Sequence, residues 1–431
     1  MVTLLIFIAV LAVLVITHEL GHFIAARKSG IAAPEFGFGF PPRIFGIQVK
    51  KNLKLEKISE QESISVQIDR GQNEFGEDVV QETIIDEKKE IDIIKSKRKW
   101  RFVWGNRELN EEDEKFGTVY SLNWLPLGGF VKIKGENGES VEADSFMVQK
   151  TWKKAIVIVA GVAMNVVLAA VLFSIGYMIG LPTLVDNMGD VSQVKDRKLT
   201  IMQVLPGKPA ELAGLKSEDI IVKIGDLENP RLSEMQKYVD DHKSEEINIS
   251  IKRGEEIIEQ KIKPIIYEET GKGGIGVGIA ELGTVKYPWY QAIWRGFIDT
   301  FVYIKEIFIA FYFLIVGLFA GRGAGEAVSG PIGIAVMTGQ VAKMGFIYLL
   351  QFTAILSLNL AVINILPIPA LDGGRLLFLF LNKFKKINFA KYEQTAHAVG
   401  FMLLMLLVLV VTVRDVGNFR DVFIGFFKRI F

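Results

Sequence analysis

The sequence predicts a polytopic α-helical membrane protein with four transmembrane helices, a β-containing region on one side of the bilayer and a compact mixed β/α domain on the other. Three observations predict it. Half of the 431 residues are hydrophobic (50%) and the mean hydropathy is +0.31, too apolar for an ordinary water-soluble chain of this length. The apolar residues are clustered in blocks near 2–16, 155–181, 297–320, 344–368 and 399–413. Several reach the ~20 helical residues needed to cross a hydrocarbon core about 30 Å thick. Finally, lysine and arginine gather beside particular blocks, which assigns sides. The balance of 50 basic and 49 acidic residues gives a net charge of +1, so no basic field points to nucleic acid. The absence of cysteine excludes disulfides and thiolate metal sites.

Residues 1–27 read as the first transmembrane helix. No basic segment precedes the apolar run, and His18, Glu19 and His22 fall where a signal peptide would be cleaved, so it reads as a retained span. Arg27 and Lys28 follow it and place its far end in the cytoplasm. Residues 28–154 form a polar cytoplasmic region with strand-like stretches, FGFGFPPRIFGIQVK and TVYSLNWLPLGGFVKIKGE. Between them lies a highly charged insert, about 50–115, in which SISVQI, EIDII and KWRFVW alternate as strands do. A second span occupies 155–182, with Lys150, Lys153 and Lys154 before it and Asp186 and Asp190 after it. Residues 183–285 alternate short β-rich runs with Gly/Pro turns and one helical piece near 231–242, the pattern of a soluble domain. Residues 286–342 are an amphipathic, interfacial helix followed by a Gly-rich link. Residues 343–382 contain the third span, broken by Pro367 and Pro369. Residues 383–431 hold a basic loop with Lys383, Lys385, Lys386 and Lys391, then the fourth span and a tail bearing Arg420, Lys428 and Arg429.

The chemistry is concentrated in ITHELGHFIA, residues 16–25. Polar side chains inside a bilayer are costly and mark function. His18 and His22 are four residues apart and share one face of a helix. Two neutral imidazoles at that spacing bind one zinc ion, with Glu19 beside them to take a proton from water. A catalytic zinc takes a third protein ligand. His242 lies in the soluble domain, and His397 near the start of the last span has no motif around it. Asp372, in NILPIPALDGGR, is favoured: broken backbone at membrane depth occurs only where protein or a water-filled cavity satisfies it.

HELGH, SLNWLPLGGFVKIKGE, GVAMN, SGPIGI and NILPIPALDGG, in that order, resemble the site-2 proteases, intramembrane zinc metalloproteases. The resemblance spans almost the whole chain. It implies that Asp372 is the third zinc ligand and that Asn359 and Asn364 hold the substrate backbone. It also implies a membrane-associated β-loop at FGFGFPPRIF and LGGFVKI. The second-span motif departs from the family pattern at Val162, where proline is usual. VLPGKPAELAGLKSEDIIVKIGD is similar to the core of a bacterial PDZ domain, present here once and placed extracytoplasmically. Such domains bind peptides by strand addition to a sheet edge, and this one is also suited to excluding substrates with a bulky outer domain. The run GGIGVG at 273–278 opens no helix and is not a nucleotide fingerprint.

The resemblance implies a bacterial inner (plasma) membrane enzyme that cleaves single-span membrane proteins, such as anti-sigma factors or signal-peptide remnants. His18 lies about 25 Å along the first helix, toward the cytoplasmic leaflet. Asp372 reaches that depth only if 344–366 runs outside to inside and 297–320 does not cross. Two rival readings are another zinc-dependent membrane peptidase, which would need neither the outer domain nor the LDG segment, and a non-catalytic PDZ scaffold, against which the intact His18-Glu19-His22 argues.

Overall fold

The computed structural model describes residues 2–59, 63–72, 78–87, 90–110, 113, 116–136, 140, 142–185, 194–267, 271–321, 329–383 and 390–418. Two units emerge, residues 1–22 with 151–431, and residues 23–150. Lys385, Lys386, Arg420, Lys428, Arg429, Asp186 and Asp190, used above to assign sides, lie outside the described residues.

The first unit is built on helices α1 (Val2–Lys28, whose last turns belong to the other unit), α2 (Thr151–Ile179), α5 (Trp289–Phe319), α6 (Pro331–Met344), α7 (Phe346–Ile365), α8 (Asp372–Leu381) and α9 (Ala390–Asn418). Among the described residues, five helices are long and apolar enough to cross a membrane: α1, α2, α5, α7 and α9. The expected count was four with α5 excluded, and length and composition do not by themselves exclude it. Helix α2 is central, packing against α5, α7 and α8. Its Ala169, Phe173 and Tyr177 join Leu181, Val285, Ala354 and Leu358 in one buried cluster. Small residues set the close approaches. A side chain at Gly176 would run into Leu181, and one at Gly21 into the backbone of Ala160. Helix α6 stands where a Gly-rich link was expected. Pro331 suits a first helical turn, and Asp415 of α9, 2% exposed, accepts the Gly333 N–H at 2.7 Å. The glycines that made the segment read as a link are the positions where neighbours press close: Gly333 beneath Asp415 and Gly339 beside Thr3.

Between α2 and α5 the chain forms the PDZ-like module. Its strands are β6 (Leu181–Leu184), β7 (Val194–Val204), β8 (Ile220–Ile224), β9 (Leu227–Glu228), β10 (Ile247–Arg253), β11 (Glu256–Ile262), β12 (Ile265–Tyr267), β13 (Lys272–Gly274) and β14 (Val277–Val285), with helices α3 (Pro209–Leu212) and α4 (Leu232–Asp241). The main sheet runs β11-β10-β8-β7-β14-β6, with β9 beside β8. Alternation places Ile247, Ile249 and Ile251 in a core with Ile201, Ile221, Ile224, Met235 and Val239. Asp219 is buried and gripped by Arg253 through two 2.7 Å bonds. Burial pushes its carboxyl up, but the Arg253 fork and the Lys216 amide outweigh that and hold it below the usual range. Leu181 of β6 pairs with Val285 of β14, and the Tyr287 N–H donates to the Tyr177 carbonyl at 2.9 Å. Both ends of the module therefore meet at one end of α2.

The second unit contains β1 (Glu35–Ser59), β2 (Ser63–Gln72), β3 (Asp78–Glu87), β4 (Glu90–Trp104) and β5 (Val119–Lys132). EIDII and KWRFVW belong to one strand, β4, which pairs with β1 from Phe45↔Trp104 to Ser59↔Glu90; SISVQI lies in the β2–β3 hairpin. The bent β1 pairs twice with β5, so that Glu35–Phe38 lies between 119–122 and 129–132. This sheet has its polarity reversed. On one face the register aligns Trp100 with Val49, Phe102 with Ile47 and Tyr120, and Trp104 with Phe45 and Leu122. Trp100 (60%), Phe102 (58%) and Trp104 (70%) stand exposed there. The opposite face buries polar groups: Gln48 donates to the carbonyls of Asp113 and Gly117, and Arg43 forks onto Glu35 at 2.8 and 2.9 Å.

Candidate metal centre

Three elements of the first unit bring HELGH and LDGG together. Helix α1 carries His18 and His22 one turn apart, 7% and 8% exposed. Helix α8 starts at Asp372, where a carboxylate suits the positive end of the helix dipole. His18 Nε2 lies 3.1 Å from Asp372 Oδ2, His22 Nε2 lies 3.3 Å from the same oxygen, and the two Nε2 atoms are 3.1 Å apart. For ligand bonds of about 2.0–2.1 Å, a tetrahedral edge is about 3.3 Å. The three atoms thus make one face of a zinc-sized tetrahedron.

Tautomers decide what that face attracts. His22 Nδ1 lies 2.8 Å from the Val157 carbonyl, which only accepts, so Nδ1 carries the proton and Nε2 presents a lone pair. His18 Nδ1 lies 3.4 Å from Asn165 Nδ2, while Asn165 Oδ1 is buried without a partner. Turned by a half-turn, that amide, whose two ends have the same shape, would present Oδ1 to the Nδ1–H, and His18 Nε2 would then also present a lone pair. Asp372 Oδ2 is itself buried with no hydrogen-bond donor. In these tautomers three acceptors converge, which fits a cation, and two imidazoles with a carboxylate fit zinc.

The partners of the ligands were the part not legible in the motifs. Val157 contributes only a carbonyl, and Asn165 had no assigned role. Gly161 is required by space, since a Cβ there would lie 2.7 Å from His22 Cε1 and 2.8 Å from His18 Cε1. Its place in GVAMN, one turn before Asn165, was the available signal. Replacing Asn165 with leucine should lower zinc affinity about 10–100-fold, the usual effect of losing an outer partner, whereas Asn165→Asp keeps an acceptor and the affinity. Competition with a chromophoric chelator measures both.

The other candidates are placed as follows. Glu19 is half-buried in the same turn as the histidines. Asn359, on α7, donates to the Ile355 carbonyl one turn back at 3.0 Å, and Asn364 is half-buried in the last turn of α7. Neither is hydrogen-bonded to the three converging residues. His242 stacks on Tyr238 within the β/α module, and His397 bonds to Ala370.

An apolar helical bundle carrying this donor set defines an intramembrane metallohydrolase. Residues 6–56 and 102–407 match the model of Peptidase family M50, and the chain belongs to that family. The unmatched 57–101 are most of the charged insert with β2 and β3. Similar proteins include the zinc metalloprotease RasP of Oceanobacillus iheyensis (31% identity, covering 96% of this chain and 99% of that one). The RasP of Geobacillus kaustophilus is 30% identical (96% and 97%). The regulator of sigma-W protease RasP of Bacillus subtilis is 30% identical (96% and 98%). The chain is an intramembrane zinc metalloprotease, a metalloendopeptidase of the site-2 type.

Proposed function

We propose that His18, His22 and Asp372 hold the catalytic zinc, with Glu19 as general base, in an enzyme that cuts single-span membrane proteins within or beside the spanning helix. The observation that carries this is the triangle of three lone-pair donors with sides of 3.1, 3.1 and 3.3 Å. His18, His22 and Asp372 would hold the zinc, which would supply a Lewis acid for the scissile carbonyl and for water. Glu19 accepts the proton of the attacking water and returns it to the leaving amine. The imidazoles are held by Val157 and Asn165 and need not reorganise. Asn359 and Asn364 bind the backbone of the unwound substrate.

The topology follows the same reading: four spans, α1, α2, α7 and α9, with α5 across the outer leaflet. Its contacts support this. Gly296 abuts Ala170 and Ser174, Asp299 accepts from Tyr177, and Tyr303 stacks on Phe173. These α2 partners all lie between residues 170 and 177, so this part of α5 packs on the end of α2 that leads into the PDZ-like module. Exposed Trp289, Tyr290 and Trp294 suit a membrane interface. The PDZ-like module, residues 183–285, then lies outside and the 28–154 region lies against the cytoplasmic leaflet of a bacterial inner membrane. The outward-facing Trp100, Phe102 and Trp104 support its membrane association.

The name of the Bacillus relative supports a membrane-anchored regulator of a sigma factor as substrate. A groove of about 650 Å³ between α4 and β14, lined by Leu232, Gln236, Val239, Val277 and Ile279, suits contact with its outer segment. The test is co-reconstitution in liposomes with a single-span protein, with and without a folded outer domain, and mass mapping of the products. Cleavage inside or next to the span, slowed by the outer domain and stopped by a zinc chelator, is expected. Cleavage confined to soluble segments would overturn the proposal.

A further inference from the structure

His397 takes no part in the mechanism above, yet it sits where the third ligand is set. Between α7 and α8 the chain turns through Leu366-Pro367-Ile368-Pro369-Ala370-Leu371. The turn is closed by Ile368 N–H to the Leu366 carbonyl at 2.7 Å and Leu371 N–H to the Ile368 carbonyl at 3.2 Å. Ala370 has φ +79°, a left-handed conformation that a residue with a Cβ adopts only when its surroundings impose it. Asp372 is two residues further on.

The imposing contact comes from α9. The Ala370 N–H donates to His397 Nδ1 at 2.8 Å. One turn later on the same face, Gly400 lies against Pro369: a Cβ there would stand 2.6 Å from the Pro369 carbonyl oxygen. The imidazole is braced by Phe378 of α8, with ring centroids 5.6 Å apart. On the other side of the turn, Gly373 and Gly374 press against the carbonyls of Ile365, Leu366 and Ile368 and leave no slack. Because Nδ1 accepts, the ring proton is on Nε2, which is buried without a partner. The half-buried imidazole thus satisfies one of its two nitrogens, the one turned to the Ala370 N–H.

We infer that His397 is a positioning residue for the metal centre: by accepting the Ala370 N–H it holds the turn left-handed and thereby fixes the depth and direction of the Asp372 carboxylate. The inference rests on Asp372 being a zinc ligand, as proposed above. The left-handed alanine gives it a specific test. Glycine adopts φ +79° without help, so Ala370→Gly should make the clamp dispensable. Asparagine carries Oδ1 as far from the backbone as histidine carries Nδ1 and can accept the same N–H; leucine cannot.

The experiment uses the full-length zinc-loaded protein in detergent, and the readout is zinc transfer to a chromophoric chelator. His397→Leu is expected to weaken zinc retention about 10–100-fold, the range for outer partners of a metal site. His397→Asn should stay within a few-fold of wild type. Ala370→Gly added to His397→Leu should recover most of the loss. Wild-type retention in His397→Leu would overturn the inference. So would equal loss in the leucine and asparagine variants with no recovery by Ala370→Gly, because that is the behaviour of a packing residue. Asp372→Ala separates the two levels. If it keeps its zinc, the ligand assignment fails; if it loses zinc while His397→Leu does not, only the role of His397 fails.

Discussion

Glu19→Gln is expected to keep its zinc and lose turnover by about 10²–10⁴-fold, the range supplied by a positioned general base. The substitution preserves the shape of the side chain and its place in α1, so His18 and His22 keep their helical spacing and their bonds to Asn165 and Val157. What disappears is the only carboxylate in the histidine turn able to take and return a proton. A substrate with a helix-breaking residue at its cleavage site does not restore the rate, since unwinding the substrate does not replace the missing base. The check is metal content together with cleavage in liposomes for wild type and variant. If the variant retains more than about a tenth of wild-type turnover, another residue performs the proton transfer.

The parts of this protein visible in the sequence are those with a strong local signature. Hydrophobic blocks locate α1, α2, α7 and α9 within a few residues, because crossing a bilayer demands a long apolar run whatever surrounds it. HELGH exposes itself because His and Glu are out of place in such a run. The PDZ-like module is legible from alternation and turn residues, which act over a few positions. The features that were missed depend on neighbours distant in sequence. Helix α6 is rich in glycine and reads as a link until Asp415, 82 residues away, is seen capping it. The reversed polarity of the second unit appears only when strand register shows that Trp100, Phe102 and Trp104 share a face with Ile47 and Tyr120. His397 has no motif of its own, and its partner is a backbone amide, which no side-chain pattern reveals. The number of crossing helices depends on α5, whose length and composition permit a span, and no local motif in the sequence decides whether it makes one.

Asp372→Ala should reduce zinc from about one ion per chain to near zero after dialysis against a mild chelator, and abolish cleavage. Removing the carboxylate leaves two imidazoles, one short of the three protein ligands that catalytic zinc sites use. Among the described residues, His18, His22 and Asp372 are the one group of three such donors close enough to share an ion. The chain has four histidines. Of the two outside HELGH, His242 is bonded to the Tyr238 carbonyl and His397 to the Ala370 amide. Nor would the loss be explained by unfolding. Asp372 is the first residue of α8, and its favourable interaction with the helix dipole is worth about 0.3–2 kcal/mol. Asp372→Asn keeps the shape and removes the charge; it should bind zinc far more weakly than wild type while α8 stays folded. Set against Glu19→Gln, which keeps the metal and loses the chemistry, this variant loses both. A chain in which Asp372→Ala still carries a full equivalent of zinc has its third ligand elsewhere, and the pairing of α1 with α8 around the metal would then have to be abandoned.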